Sequence, residues 1–493
     1  MGSARLNRPV SFQAALLAPL AVAIGLALAL QPVGMAGALL ATALGAWLAL
    51  LTPIVPLVAL LILAPLRTLI ATEAPIALPL DIGQLALIAA LGIWLAHRLA
   101  RRERLLAVAW SPVLLPVVVF VLATGLTAFS AYSLGAWLNE WLKWVQVLLL
   151  IVVVLHAGQG ERWRWLVFGL ALAGAANALI GLYEFFGGSG ALHLLINDRF
   201  FRAFGTFGQP NPFGGFMGLL APLVLCTTLS HALALWRDWR MQRLRLPGVL
   251  WTLFYAGASG LIVVGVFISW SRGAWLGFAA AMAAVVFALP RRLWQSIALV
   301  ATLAALVGGL WLAGRLPASV VARVSSATQE LFAFDDVRGV DITPENYAVV
   351  ERLAHWQAAL NMARAHPWLG VGFGNYEIAY ADFRLMNWKF PLGHAHNYYL
   401  NVLAEAGMIG LIAYVFYWAV VVFLTWHARR HPDDGARFTS IGLLGTWIYL
   451  LVHSLTDNLY VNNLFLHIGV MLGILAIIVS QRKGLRLRMS WVR

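Results

Sequence analysis

The chain is 493 residues long, 61% hydrophobic and only 11% charged, with a mean hydropathy of +0.82. A soluble globule has no use for that much apolar surface, so composition excludes that class and points to repeated membrane spans. A net charge of +14 would suggest nucleic acid in a soluble protein, but here the basic residues fall in short clusters between apolar runs and need no acidic partner.

In chain order, the hydropathy predicts an all-α fold: a polytopic transmembrane helix bundle of about 12–14 spans with a large, partly helical external loop. The runs are 12–30, 35–51, 55–72, 82–98, 108–130, 136–156, 164–186, 211–236, 249–269, 273–290, 294–314, 398–426, 438–459 and 464–480. The first follows Arg5 and Arg8 and reads as a signal-anchor, because its apolar stretch exceeds that of an ordinary signal peptide. With the N-terminus inside, "HRLARRER" (97–104), "WRDWRMQRLR" (236–245), Arg291-Arg292, "HARRH" (427–431) and the tail from Arg482 to Arg493 all fall on the cytoplasmic side. The single cysteine, Cys226, lies in an apolar run and can form no intrachain disulfide.

This parity divides the chain into N-terminal spans (1–160), central spans carrying outer arginines (161–314), an external loop (315–397) and C-terminal spans with a basic cytoplasmic tail (398–493). Within the loop, Thr343-Pro344-Glu345 reads as a helix start. Val349, Leu353, Trp356 and Leu360 follow at helical spacing, and His366-Pro367 ends the run. The expectation is an amphipathic helix lying on or near the membrane.

Ionisable residues inside spans are costly, and several fall at the outer end: Arg67, Glu140, Lys143, Glu184, Arg272, Glu405 and Asp457. In "RFFRAFGTFGQPNPFGGFMG" (199–218), Asn211-Pro212 reads as an N-cap and first-turn proline, with Arg202 just ahead. Gly214 and Gly218 form a small-xxx-small pair suited to helix packing. In "SWSRGAWLG" (269–277), Arg272 stands at the turn into the next helix. Two arginines beside two outward-facing helix N-termini suit a phosphate or pyrophosphate; either alone would serve as a lipid-headgroup anchor.

The segment "GHAHNYYLNVLAEAGMIGLI" (393–412) brings His394 and His396 ahead of Asn397, Asn401 and Glu405, which recur at one helical face. Such a stripe must meet a cavity or another polar group, since lipid leaves it unsatisfied. Histidine over it is suited to accept a proton from a hydroxyl nucleophile. "GVGFGN" (370–375) lacks dinucleotide-binding spacing and reads as a tight turn. Asp335-Asp336 and the histidine spacing match no usual metal pattern, so neither a metal nor a cofactor is expected.

Together "RAFGTFGQPNPFGG", "SWSRGAWLG", "ERLAHWQAALNMARAHPWLGVGFGNY" and "HAHNYYLNVLAEAGMIG" closely resemble the O-antigen ligase and O-antigen polymerase superfamily, over roughly residues 160 to 426. The resemblance implies a multi-pass glycosyltransferase of the bacterial cytoplasmic (inner) membrane with its site on the outer, periplasmic face. Such enzymes move a glycan from an undecaprenyl-pyrophosphate carrier to a lipid- or glycan-linked acceptor hydroxyl, without metal or nucleotide sugar. The family's functional histidine falls on His396 and its two outer arginines on Arg202 and Arg272. His394, Asn397, Asn401 and Glu405 join them as candidate substrate-binding residues. Some relatives glycosylate proteins, and some have been labelled bicarbonate transporters, so the alternatives are a protein O-oligosaccharyltransferase or a transporter of a small anion such as bicarbonate. A transporter would show inverted repeats and charges near mid-membrane, whereas here no repeat is visible and the charges gather at one side.

Overall fold

A computed structural model describes residues 45–73, 80–104, 110–188, 190–196, 199–315, 321, 336–343 and 346–481. The predicted span 12–30, most of 35–51 and the basic tail lie outside them. Ten described helices are long and apolar enough to cross a membrane, and two shorter apolar ones accompany them, so the protein is a multi-pass helical bundle.

The helices are α1 (Ile54–Glu73), α2 (Ile82–Ala100), α3 (Leu114–Ser130), α4 (Leu134–Ala157), α5 (Trp163–Gly188), α6 (Pro210–Arg240), α7 (Leu246–Ile268), α8 (Arg272–Ala288) and α9 (Leu293–Leu312). Two helices of the long connection follow, α10 (Tyr347–Ala365) and α11 (Tyr376–Phe383). The last three are α12 (Tyr398–Ala428), α13 (Asp434–His453) and α14 (Leu464–Gln481). A two-residue antiparallel pair, Leu195↔Phe201 and Ile196↔Phe200, precedes α6.

Each predicted run from 55–72 onward contains a helix, because continuous apolar sequence in lipid must satisfy its backbone internally. α14 is the central post, 89% buried along its apolar window, whereas α9 is 6% buried and turns almost its whole surface outward. Gly214 and Gly218 do pack helices. A Cβ at Gly218 would stand 2.1 Å from the Tyr449 ring, and the Tyr449 hydroxyl donates to Gly214 O at 3.0 Å.

Two expectations need correction. The run 438–459 is helical only to His453, so Asp457 sits in a loop. α6 begins at Pro210 after Gln209, and Asn211 is no cap: its side-chain oxygen accepts from Arg202 instead. α10 packs on α12 and buries Ala354, His355, Ala358, Ala359 and Met362.

The turn at 367–375 locks this connection onto the bundle. Val371 N–H donates to Ala404 O at 3.0 Å and Phe373 N–H to Thr127 Oγ1 at 3.0 Å. The "GVGFGN" motif is indeed a tight turn, with Gly370, Gly372 and Gly374 at φ +66, +100 and +78. α12 opens at Gly407 (φ +61) to receive it, and Met408 N–H there donates to Pro367 O at 2.8 Å.

A candidate site at one end of the bundle

Arg202 is held by three elements. Its backbone N–H donates to Leu194 O at 2.8 Å, its Nε to Ser269 O at 3.2 Å and its Nη2 to Asn211 Oδ1 at 3.2 Å. Buried Glu184 fixes the next turn by accepting from Phe204 N–H (2.8 Å) and Gly205 N–H (2.7 Å). Ser269 leads through Trp270 and Ser271 into α8, whose first residue is Arg272. The two arginines are therefore tied to one turn, beside the N-termini of α6 and α8.

The histidines join them through the loop after α13. A Cβ at Gly273 would stand 2.4 Å from the Thr456 hydroxyl and 3.7 Å from the His453 ring. A Cβ at Gly215 would stand 2.3 Å from Leu459 and 3.8 Å from His453 Nε2. From the same loop, Asp457 Oδ1 lies 3.7 Å from His394 Nε2 and 3.6 Å from His396 Nδ1. Tyr398 N–H donates to Ser454 O at 2.8 Å and pins the histidine segment to this loop.

His396 occupies left-handed backbone (φ +53), uncommon for a residue with a Cβ, and its N–H donates to His394 Nδ1 at 3.1 Å. The two rings stand 4.4 Å apart at 65°. Below them Tyr398 and Tyr460 pack at 4.5 Å, and the Tyr414 and Tyr460 hydroxyls share a 3.1 Å hydrogen bond, closing the site from the bundle interior.

The polar stripe meets backbone. Asn397 caps α12, accepting from Tyr399 and Leu400 N–H at 3.1 and 3.2 Å. Asn401 Oδ1 accepts from Ala395 N–H at 3.1 Å, and Glu405 Oε1 accepts from Tyr376 N–H at 3.0 Å. These three residues hold the connection that carries the histidines.

Four residues that sequence reasoning left out of the site face it. Asp457 is one. Burial alone would raise its carboxyl, but His396 and the neighbouring His394 and His453 rings hold it well below the usual carboxylate range. His355, from α10, is fully buried with its ring 5.9 Å from that of His396 and its Nδ1 2.9 Å from the Tyr376 hydroxyl. Burial lowers its imidazole to about 4, helped by the charges of His396 and His394. His394 is also lowered to about 4, by burial foremost, with Asp457 opposing and His396 and Arg352 adding to the drop. That last influence places a third arginine, Arg352 of α10, within electrostatic reach. His453 is buried with neither ring nitrogen hydrogen-bonded among the described residues. Arg352 and His355 could have been found in "ERLAHW" from their place among core-facing positions, and the His453 and Asp457 pair from its helical spacing at the end of an apolar run.

Fold and site define a class: a polytopic helical membrane protein that gathers arginines and histidines at one end of its bundle. Residues 257–415 match the sequence model of the family described as O-Antigen ligase. A Pseudomonas aeruginosa protein named O-antigen ligase is 28% identical over 253 residues, covering 51% of this chain. The match spans about half (51%) of that relative's length. Over these residues the chain is similar to the O-antigen ligase family. The matched family segment contains Arg272, His394, His396, Asn397, Asn401 and Glu405, while Arg202 and Asp457 lie outside it.

Proposed function

We propose that the protein transfers a glycan from an undecaprenyl-pyrophosphate carrier to an acceptor hydroxyl on the outer face of the cytoplasmic membrane. The observation carrying this reading is the tie between two half-sites: Arg202 and Arg272 at the ends of α6 and α8, and the His394–His396–Asp457 group across Gly273 and Thr456. The arginines bind the pyrophosphate, with the α6 and α8 dipoles adding to the attraction. His396 Nδ1 faces Asp457, which leaves Nε2 to accept the acceptor hydroxyl's proton. The hydroxyl oxygen forms its bond to the anomeric carbon as the carbon–phosphate-oxygen bond breaks. The electron pair leaves with the lipid pyrophosphate, and attack from the opposite face inverts the anomeric centre. The reaction needs no metal, because the arginines neutralise the leaving group. The acceptor is lipid- or glycan-linked, as in a ligase or polymerase.

The test is incubation of purified protein with lipid-pyrophosphate glycans and candidate acceptors, measuring free lipid pyrophosphate. Arg202→Ala and Arg272→Ala each lose a charge-assisted contact and should reduce turnover about 10- to 150-fold. Arg272→Lys should recover only part, because an ammonium lacks the two-pronged fork. Full turnover by both alanine variants refutes pyrophosphate binding at this turn.

A further inference from the structure

We infer that His394 Nε2, His396 Nδ1 and Asp457 Oδ1 form a binding site for a divalent transition metal of the zinc class, and that an ion seated there silences the centre. The silencing half rests on the reading of His396 as proton acceptor; the binding half does not.

The geometry carries the site. The three ligand atoms all lie within 4.8 Å of one another, and the carboxylate oxygen stands 3.7 and 3.6 Å from the two imidazole nitrogens. Those gaps are too long for good hydrogen bonds. Ligands around a tetrahedral zinc with bonds of about 2.0–2.2 Å lie roughly 3.3–3.6 Å apart, so the two carboxylate–imidazole pairs close by a few tenths of an ångström and the two imidazoles, within 4.8 Å of each other, by up to about 1.5 Å through side-chain rotation. Two imidazoles and one carboxylate are donors that zinc, cobalt and nickel accept. The side chains keep 18%, 22% and 14% of their exposure, enough for an ion to enter and for water to fill the open position. Two opposing terms are visible. Arg352 repels a cation, and metal at His394 Nε2 moves that ring's proton to Nδ1, costing the bond from His396 N–H.

Silencing follows from the chemistry of one ring. A neutral imidazole has a single lone pair. As proton acceptor, His396 carries its hydrogen on Nδ1 towards Asp457 and keeps the lone pair on Nε2. Metal at Nδ1 takes the lone pair there and moves the hydrogen to Nε2, so the ring can no longer accept a proton from a hydroxyl. No proton is gained or lost; the tautomer changes.

The experiment uses the purified full-length chain in lipid nanodiscs, isolated on a histidine-free tag, titrated with Co²⁺ and then Zn²⁺. One equivalent of Co²⁺ should bind, giving the visible absorption of a four-coordinate ion that Zn²⁺ removes. Asp457→Asn and His394→Ala should each lose the band; His394→Gln replaces the alanine variant if size-exclusion chromatography shows misfolding. In the transfer assay, turnover should fall with metal occupancy and return with chelator. The site is refuted by sub-stoichiometric binding, or by a band that survives in both variants. Stoichiometric binding with unchanged turnover refutes the silencing half. A chain that binds one cobalt yet releases no lipid pyrophosphate in any metal-free assay refutes the transfer reading and leaves the metal site standing.

Discussion

His396 is held where an unsupported residue would not stay. Its φ of +53 costs on the order of 1–3 kcal/mol, borne by the Tyr398-to-Ser454 and Ala395-to-Asn401 bonds on its C-terminal and N-terminal sides. Strain kept by its surroundings in this way points to a ring whose direction matters. His396→Ala should lose about 10²–10⁴-fold in turnover while still binding carrier, and His394→Ala should lose less. Measured rates in the opposite order would move the base to His394. The neighbouring rings give a second prediction. His355 and His394 are lowered from 6.5 to about 4, so between those values the unfolded chain takes up protons that the folded chain refuses. Their contribution is whole above pH 6.5 and is lost as pH falls towards 4. Thermal unfolding followed from pH 7 to pH 4 should show a falling midpoint. His355→Phe, which keeps a ring against Tyr380, should flatten the fall. A parallel slope in the variant would show that His355 is not among the groups responsible.

Among the elements, α12 is the one whose shape serves the site. Its apolar length was legible as a span, because twenty-odd apolar residues have few other uses. Its break was not. Gly407 in "EAGMIG" looks like any packing glycine until the 367–375 turn is seen entering beside it. The same holds for the stripe below His396: spacing put Asn397, Asn401 and Glu405 on one face, but not what they would meet, since their partners Ala395 and Tyr376 belong to the long connection. A Cβ at Gly407 would stand 2.3 Å from Trp368 C and O in a left-handed conformation. Gly407→Ala should therefore lower the unfolding midpoint and reduce turnover, although the residue touches none of the site's side chains. Gly260→Ala in α7 is the comparison, because a Cβ there meets nothing within 4 Å. Equal stability of the two variants would mean that the turn does not depend on the break.

At the scale of the whole molecule, the arginine and histidine motifs were readable singly, whereas their meeting was not. His453 comes from the last turn of α13 and Asp457 from the loop after it, both of which read as the end of a span, and Arg352 and His355 come from a helix that reads as membrane-surface. Only packing brings them together. Direction, by contrast, follows from the chain. α6, α8 and α12 all begin at the site, and they run out to Arg237 and Arg240, to Arg291-Arg292, and to Arg429-Arg430. Basic residues stay on the cytoplasmic side of a bilayer, so the site should face outward. Sidedness can be read with thiols, because the native Cys226 is buried at 2% exposure and should remain silent. Met386, 88% exposed on the approach to His394, and Arg240, exposed at the far end of α6, are the reporting positions. In intact cells, permeabilised at the outer membrane where there is one, Met386→Cys should react with an impermeant maleimide and Arg240→Cys only after lysis. The reverse pattern would put the histidines in the cytoplasm, away from an outward-facing glycan carrier, and the transfer reading would fall with the orientation.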